Sequence, residues 1–325
     1  MTESTLSVSL TELREEVVLH LTGGRDYGKQ STEQKRTIDA LIRNGYRMFL
    51  NPMKANGEPH EWSFLKPQYT LETEAAYSTG TITVVNGVVT LASGTFPSWA
   101  AAGVITFGGL TYTVNTRNSG TQLTLDNTEI DAAAGTTYIL DQRDYTLPDD
   151  FGGFDGELVY DSSNSPYISV KLVAADQINK LRNAYPMQAA PPQYAAVIPS
   201  SPTTFGTTGT RHVLMFYPAP DAEYLFRSRY TVLPNELTET YPYPYGGQSH
   251  ARTVLNACLA AAEMFSEGSE GIHTKQFRES MQVSIQADAG RFRPEYFGYA
   301  DERANYGQDR QLRYQTNFQR AEYVP

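Results

Sequence analysis

Residues 79–96 read TGTITVVNGVVTLASGTF. Ile82, Val84 and Val88 alternate with Thr and Ser around Asn86-Gly87, a dipeptide that tolerates the positive φ angles of a two-residue hairpin turn. VITFGGLTYTV (104–114) repeats the pattern around Gly108-Gly109, and TQLTLDN (121–127) and TTYILD (136–141) add two short strands. About six strands thus fall between Ser78 and Asp141, with Arg117 as the single basic residue. This spacing predicts a self-contained small all-β barrel or sandwich at 78–141, inserted into another domain.

The flanks have a different period. On the N-terminal side, Ser9 with Glu12 fits a capping box, and Leu10, Leu13, Val17 and Leu21 follow at helical spacing until Gly23-Gly24. Ser31 with Gln34 offers a second box before Ile38, Leu41, Ile42, Gly45, Tyr46 and Phe49, and Asn51-Pro52 stops that helix. On the C-terminal side, YTLPDDFGGFDGELVYD (145–161) is a short strand and an acidic, Gly-rich turn, and YISVKLVAADQINKLRN (167–183) reads as a strand and a short helix. Residues 186–210, rich in Pro and small residues, predict an extended loop. RHVLMFYPAPDAEYLFRSRYTVL (211–233) predicts a hairpin that turns at Pro218-Ala219-Pro220-Asp221.

Two more helices follow, one capped by Ser249 and closed by Gly268, the other capped by Thr274 and closed by Gly290. The alanines at 257 and 260–262 permit close helix packing, and Cys258 on that face reads as a buried small hydrophobe. The last 34 residues, 292–325, hold five Arg, five acids and eight aromatics without a helical or strand period. Disordered tails lack aromatics, so this composition predicts an extended arm that buries itself in a partner, with Phe292, Tyr296, Phe297, Tyr299, Tyr306, Tyr314 and Phe318 as anchors and Arg310 and Arg313 as charge-paired donors.

Composition narrows the function. The chain has 325 residues with 26 Lys+Arg against 36 Asp+Glu, a net charge of −10. That excess of acids argues against a nucleic-acid clamp, whose affinity comes from Lys and Arg on phosphates, yet leaves room for a protein that DNA merely passes. One Cys can form neither an internal disulfide nor a Cys-based zinc site. The polar start without a basic n-region, and apolar runs well short of about 20 residues, predict a chain that stays in the compartment where it is made and spans no membrane. Twenty-two Tyr against 14 Phe and 2 Trp suit strands and protein interfaces alike.

The search for chemistry returns little. GGRDYGKQS (23–31) approaches a phosphate-binding loop, but Gln30 stands where a Ser or Thr should hold magnesium and a helix precedes it. His20, His60, His212, His250 and His273 are scattered, none in a metal-ligand spacing. Asp149, Asp150, Asp155, Glu157 and Asp161 read as a solvated turn rather than calcium ligands or a glycosidase pair. The sequence therefore assigns no catalytic residue, cofactor or metal.

The order WSFLKPQYTLET (62–73), YTLPDDFGGF (145–154), LMFYPAPDAEYLFRSRYTVLP (214–234), an Ala-rich helix and a final helix ending QADAGRF (286–292) resembles the head-to-tail adaptor (connector) proteins of tailed bacteriophages. Segment 78–141 departs from the family pattern and is similar to Thr/Gly-rich β modules of phage structural proteins. The resemblance implies an α+β subunit whose discontinuous body, 1–77 and 142–291, includes a helical bundle that builds a homo-oligomeric ring, commonly of twelve copies. That ring would dock under the portal in the virion neck, continue the DNA channel without binding the genome, and offer a surface to the tail, nozzle or stopper. The arm at 292–325 would reach the portal or a neighbouring subunit. It implies a non-enzymatic virion protein made in the bacterial host cytoplasm. Rival readings are another tail component, such as a terminator or a host-surface-binding protein that uses the β module, and an enzyme that uses the acids of 149–161.

Overall fold

A computed structural model of the chain describes residues 3–54, 57–161, 169–185, 189–200 and 210–291. They form a mixed α+β structure of five α-helices and two sheets. The helices are α1 (Leu10–Thr22), α2 (Thr32–Leu50), α3 (Ala175–Ala184), α4 (Ala251–Glu267) and α5 (Ile272–Arg291). The chain divides into a unit that ends at Ile285 and a second, residues 286–325, whose described part is the last turns of α5.

Both N-terminal capping boxes form. The Ser9 hydroxyl accepts from the Glu12 N–H while the Glu12 carboxylate accepts from the Ser9 N–H, and Ser31 and Gln34 do the same. Gly23, at φ 74°, closes α1 in the left-handed conformation that only glycine adopts without strain. Among α1, α2 and α4 the apolar stripes merge into one core around Leu13, Val17, Ile42, Phe49, Val254 and Cys258. Cys258 is fully buried with its thiol pushed up to about 12 by desolvation, as befits an inert small hydrophobe.

The helical core continues onto an eight-stranded sheet built from β1 (Gln68–Glu72), β9 (Asp144–Thr146), β10 (Phe151–Phe154), β11 (Leu158–Tyr160), β12 (Ser169–Leu172), β13 (Tyr194–Pro199), β14 (His212–Tyr217) and β15 (Leu225–Val232). Its order is β1-β15-β11-β12-β13-β14-β9, with β10 also on β15. All its pairs are antiparallel except β12 with β13, which α3 connects as a crossover.

Two expectations need correction here. β13 lies inside the predicted loop 186–210, between β12 and β14, with Ala195 facing the main core and Ala196 facing Ile178 of α3. Alanine carries little strand propensity and prolines flank the segment, so burial on both faces, rather than local preference, makes it a strand. The predicted 211–233 hairpin also does not form: β14 and β15 are separated by β13, β12 and β11. Pro218 and Pro220 have no N–H to extend a ladder, and each strand pairs elsewhere. Phe216 and Phe226 nonetheless stack at 5.1 Å, because the sheet curls around the core they share.

The second sheet holds β2 (Ile82–Val85), β3 (Val88–Leu91), β4 (Val104–Phe107), β5 (Leu110–Ser119), β6 (Gln122–Leu125), β7 (Ala132–Thr136) and β8 (Ile139–Asp141) in the order β7-β2-β3-β6-β5-β4-β8. Asn86 and Gly87 have φ of 49° and 71°, and Gly108 and Gly109 of 58° and 78°, so both dipeptides make the expected two-residue turns. Two register shifts bend β5, which pairs with β4 at one end and β6 at the other. Ile82, Val89, Phe96, Ile105, Leu123 and Leu140 form a core separate from that of the helices. Arg117, the segment's single basic residue, is held within it. Its guanidinium braces the Phe96 carbonyl at 2.9 Å.

The connections into and out of this sheet run side by side. Tyr77 and Leu140 exchange both backbone hydrogen bonds at 2.8 Å. Beyond them Asp141 and Arg143 form a buried, two-pronged ion pair, and Arg182 of α3 donates to Asp144 and to the carbonyls of Arg143 and Phe216.

Candidate interaction surface

The nine arm residues assigned to partner binding, Phe292, Tyr296, Phe297, Tyr299, Tyr306, Arg310, Arg313, Tyr314 and Phe318, lie outside the described residues. The acids of the 149–161 turn are each engaged locally. Asp149 pairs with Arg211 at 2.9 Å, Asp150 accepts from the Tyr230 hydroxyl, Glu157 accepts from Ser169, and Asp161 pairs with Arg227. Asp155 meets Lys66 at 3.1 Å, and Glu61 meets the same ammonium at 2.7 Å. The Glu61 hydrogen bond leads in holding Lys66 above its ordinary range. Among the described residues no group of three or more His, Cys, Asp or Glu side chains could hold a metal, and no helix is long and apolar enough to cross a membrane. The 23–31 loop is used structurally: Asp26 caps a short 3-10 turn through the Lys29 N–H, and the Lys29 ammonium pairs back to Asp26 at 3.0 Å.

Among the described residues, exposed apolar side chains gather at three places. The YPYPY run at 241–245 was not singled out by sequence reasoning, although its alternating Tyr and Pro carried the signal. Its backbone is pinned to the helical layer, with the Pro242 carbonyl accepting from the Leu10 N–H at 2.8 Å and the Tyr245 N–H donating to the Tyr46 hydroxyl at 3.0 Å. The rings project outward, and Tyr241 is 75% exposed. A pinned, proline-spaced segment carrying tyrosines offers large contact area with little side-chain entropy to lose. A second patch sits at the corner between α4 and α5, where Met264, Phe265 and Ile272 are exposed, Phe265 to 63%. Pro52, Met53, Trp62, Leu65 and Leu233 line a mainly apolar groove of about 660 Å³, with Met53 and Leu233 open to solvent.

The opposite faces of the last two helices are internal. Val254, Ala257, Cys258, Phe277 and Met281 belong to the chain's own core, and α4 meets α5 through polar contacts, Thr253 with Ser284 at 2.7 Å and Asn256 with Ser280 at 3.2 Å. Neither predicted cap is used. Ser249 lies in a 3-10 turn that leads into α4, and α5 starts at Ile272, ahead of Thr274, because the buried Glu263 carboxylate gathers the N–H groups of Gly271, His273 and Thr274. At its far end α5 continues through Gly290 to Arg291.

No match was found among curated proteins. A family model described as SU10 adaptor protein matches residues 105–295, more than half of the chain. The matched stretch begins in β4, within the second sheet, and takes in the 145–154 and 214–234 strings and both final helices; the 62–73 string lies before it. The chain belongs to the SU10 adaptor protein family, a family of phage head-to-tail adaptors.

Proposed function

We propose that this chain is a non-enzymatic structural protein of the virion neck, copies of which close into a ring of twelve. The ring docks beneath the portal, continues the DNA channel and presents the surface on which the tail, nozzle or stopper assembles. The family match across 105–295 carries this reading. The net charge of −10 supports it, since a ring of acidic subunits repels DNA and lets the genome slide without being held. So do the outward tyrosines of 241–245 and the corner at Phe265, which supply apolar area for contacts that a closed ring repeats in every subunit.

The arm at 292–325 is proposed as the portal-facing or neighbour-facing attachment. Electron microscopy of the purified chain mixed with its phage's portal tests the reading, with the chain alone as control. The expected image is a ring stacked coaxially on portal, lost when residues 292–325 are deleted while the helical circular dichroism signal persists. A failure of the intact chain to associate would move the protein to a distal tail position.

Residues 78–141 are proposed as an inserted domain. The support is its separate core and the Tyr77–Leu140 pair that brings entry and exit together. Excising residues 78–140 and joining Tyr77 to Asp141 through a short Gly-Ser bridge keeps the Asp141–Arg143 pair. The shortened chain is expected to unfold cooperatively in urea with its helical signal intact. Loss of a cooperative transition would show that the second sheet is part of the main core.

A further inference from the structure

Among the described residues the two sheets carry separate cores, so the position of the second sheet on the rest of the chain depends on its two connections, residues 73–77 and 141–145. Both connections are held along their length. On the way in, the buried Thr73 is paired with Tyr224, its N–H donating to the Tyr224 carbonyl and its hydroxyl accepting from the Tyr224 N–H, both at 2.9 Å. On the way out, the Arg143 carbonyl accepts from the Phe216 N–H at 2.9 Å, and the Arg143 guanidinium meets Asp141 inside the protein.

Tyr145 ties one connection to the other. Its ring is buried in the main core, in edge contact with Phe216 at 5.6 Å, and β9 sets its backbone opposite Leu214 of β14. Its hydroxyl accepts from the Glu74 N–H at 3.0 Å and donates to the Gln142 carbonyl at 3.2 Å. One oxygen thus spans entry and exit, a second rung beside the Tyr77–Leu140 pair. Burial pushes the phenol up, so it keeps the proton that the Gln142 bond needs. At a buried site water is a poor substitute for such a group, so its removal takes a partner from both chain segments at once.

We propose that this joint is a rigid mount: Tyr145 locks the two connections together, and the second sheet is carried at one fixed angle to the main sheet instead of swinging on a pair of linkers. The Asp141–Arg143 pair adds to the lock, since a buried ion pair tolerates few geometries. A surface carried in this way meets a partner without first being ordered, which removes part of the entropic cost of binding. The mount does not depend on the adaptor reading.

Double electron–electron resonance tests it on the full chain, with spin labels at Arg36→Cys in α2 and Gln122→Cys in β6, both exposed positions, and an excess of unlabelled chain to isolate single copies. Cys258 is fully buried and out of a label's reach. One narrow distance is expected, and Tyr145→Phe is expected to broaden it while the helical circular dichroism signal persists. In hydrogen exchange the Glu74 amide should exchange about tenfold faster in Tyr145→Phe, with the amides of Ile105 in the second core and Val254 in the main core unchanged. The unsubstituted chain decides the matter even if the variant fails to fold, because a broad or multiple distance there overturns the mount. A distance of unchanged width in Tyr145→Phe, or a Glu74 amide that exchanges no faster, overturns the role given to Tyr145.

Discussion

Gly45→Ala is expected to destabilise the chain by at least about 2 kcal/mol, and Gly45→Leu to prevent soluble folding. In an isolated helix the alanine would be favourable by about 1 kcal/mol, so the sign is set by what surrounds the position. Gly45 is buried in α2 where it crosses α4, and a Cβ there would stand 2.5 Å from the Cys258 Cα, 2.6 Å from the Cys258 nitrogen and 2.7 Å from the Ala257 carbonyl oxygen. All three are backbone atoms, so no rotamer change relieves the clash and the helices must move apart. That movement would open the core these helices share around Ile42 and Val254. Asn44→Ala, one residue away on the exposed side of α2, is the control and is expected to change stability by no more than about 0.5 kcal/mol. Urea denaturation at one fixed protein concentration measures both. A Gly45→Ala midpoint at or above that of the unsubstituted chain would show that the crossing is looser than the contact distances imply.

Features written in local chemistry were legible before the structure. Ser9 with Glu12 and Ser31 with Gln34 fixed two helix starts, and Asn86-Gly87 and Gly108-Gly109 fixed two turns, because each involves neighbouring residues and one dominant interaction. The alanine-rich face of α4 was legible as a close-packing surface, although Gly45, which makes the approach possible, lies more than 200 residues away. What local reading missed was decided at a distance. The strand at 194–199 exists because Ala195 and Ala196 fill small spaces on opposite faces of the sheet. The apolar run Leu214–Tyr217 looks like one arm of a hairpin, yet its side chains alternate between the main core and the small core beneath α3, which places it between two other strands. For the surface, the exposed tyrosines of 241–245 stood in the sequence as a Tyr-Pro alternation. Their outward direction depends on anchors in α1 and α2 that no local pattern reveals.

The start of α5 rests on one side chain of the preceding helix. Glu263 is buried, and its two carboxylate oxygens accept from the N–H groups of Gly271, His273 and Thr274 and from the Thr274 hydroxyl, at 2.8 to 3.1 Å. Burial by itself would raise this carboxyl, but the donors from His273, Thr274 and Gly271 outweigh it and bring it down to about 2. These are the unpaired donors of a helix N-terminus, where a negative charge is also favoured by the helix dipole. Glu263→Ala is expected to cost about 3 kcal/mol, because it removes the charge and strands several donors in a site with little access to water. Glu263→Gln keeps the shape and one acceptor oxygen, and it isolates the contribution of the charge. A carboxyl whose folded value lies below its ordinary 4.5 stabilises the fold fully above that value, and the stabilisation is lost as pH falls from about 4.5 to about 2. The stability gap between the unsubstituted chain and Glu263→Gln should therefore be constant from pH 7 to pH 5 and narrow steadily below it, as read by urea denaturation across that range. A gap equally wide at pH 3 and pH 7 would mean that hydrogen-bond geometry, and not the charge on Glu263, holds the first turn of α5 in place.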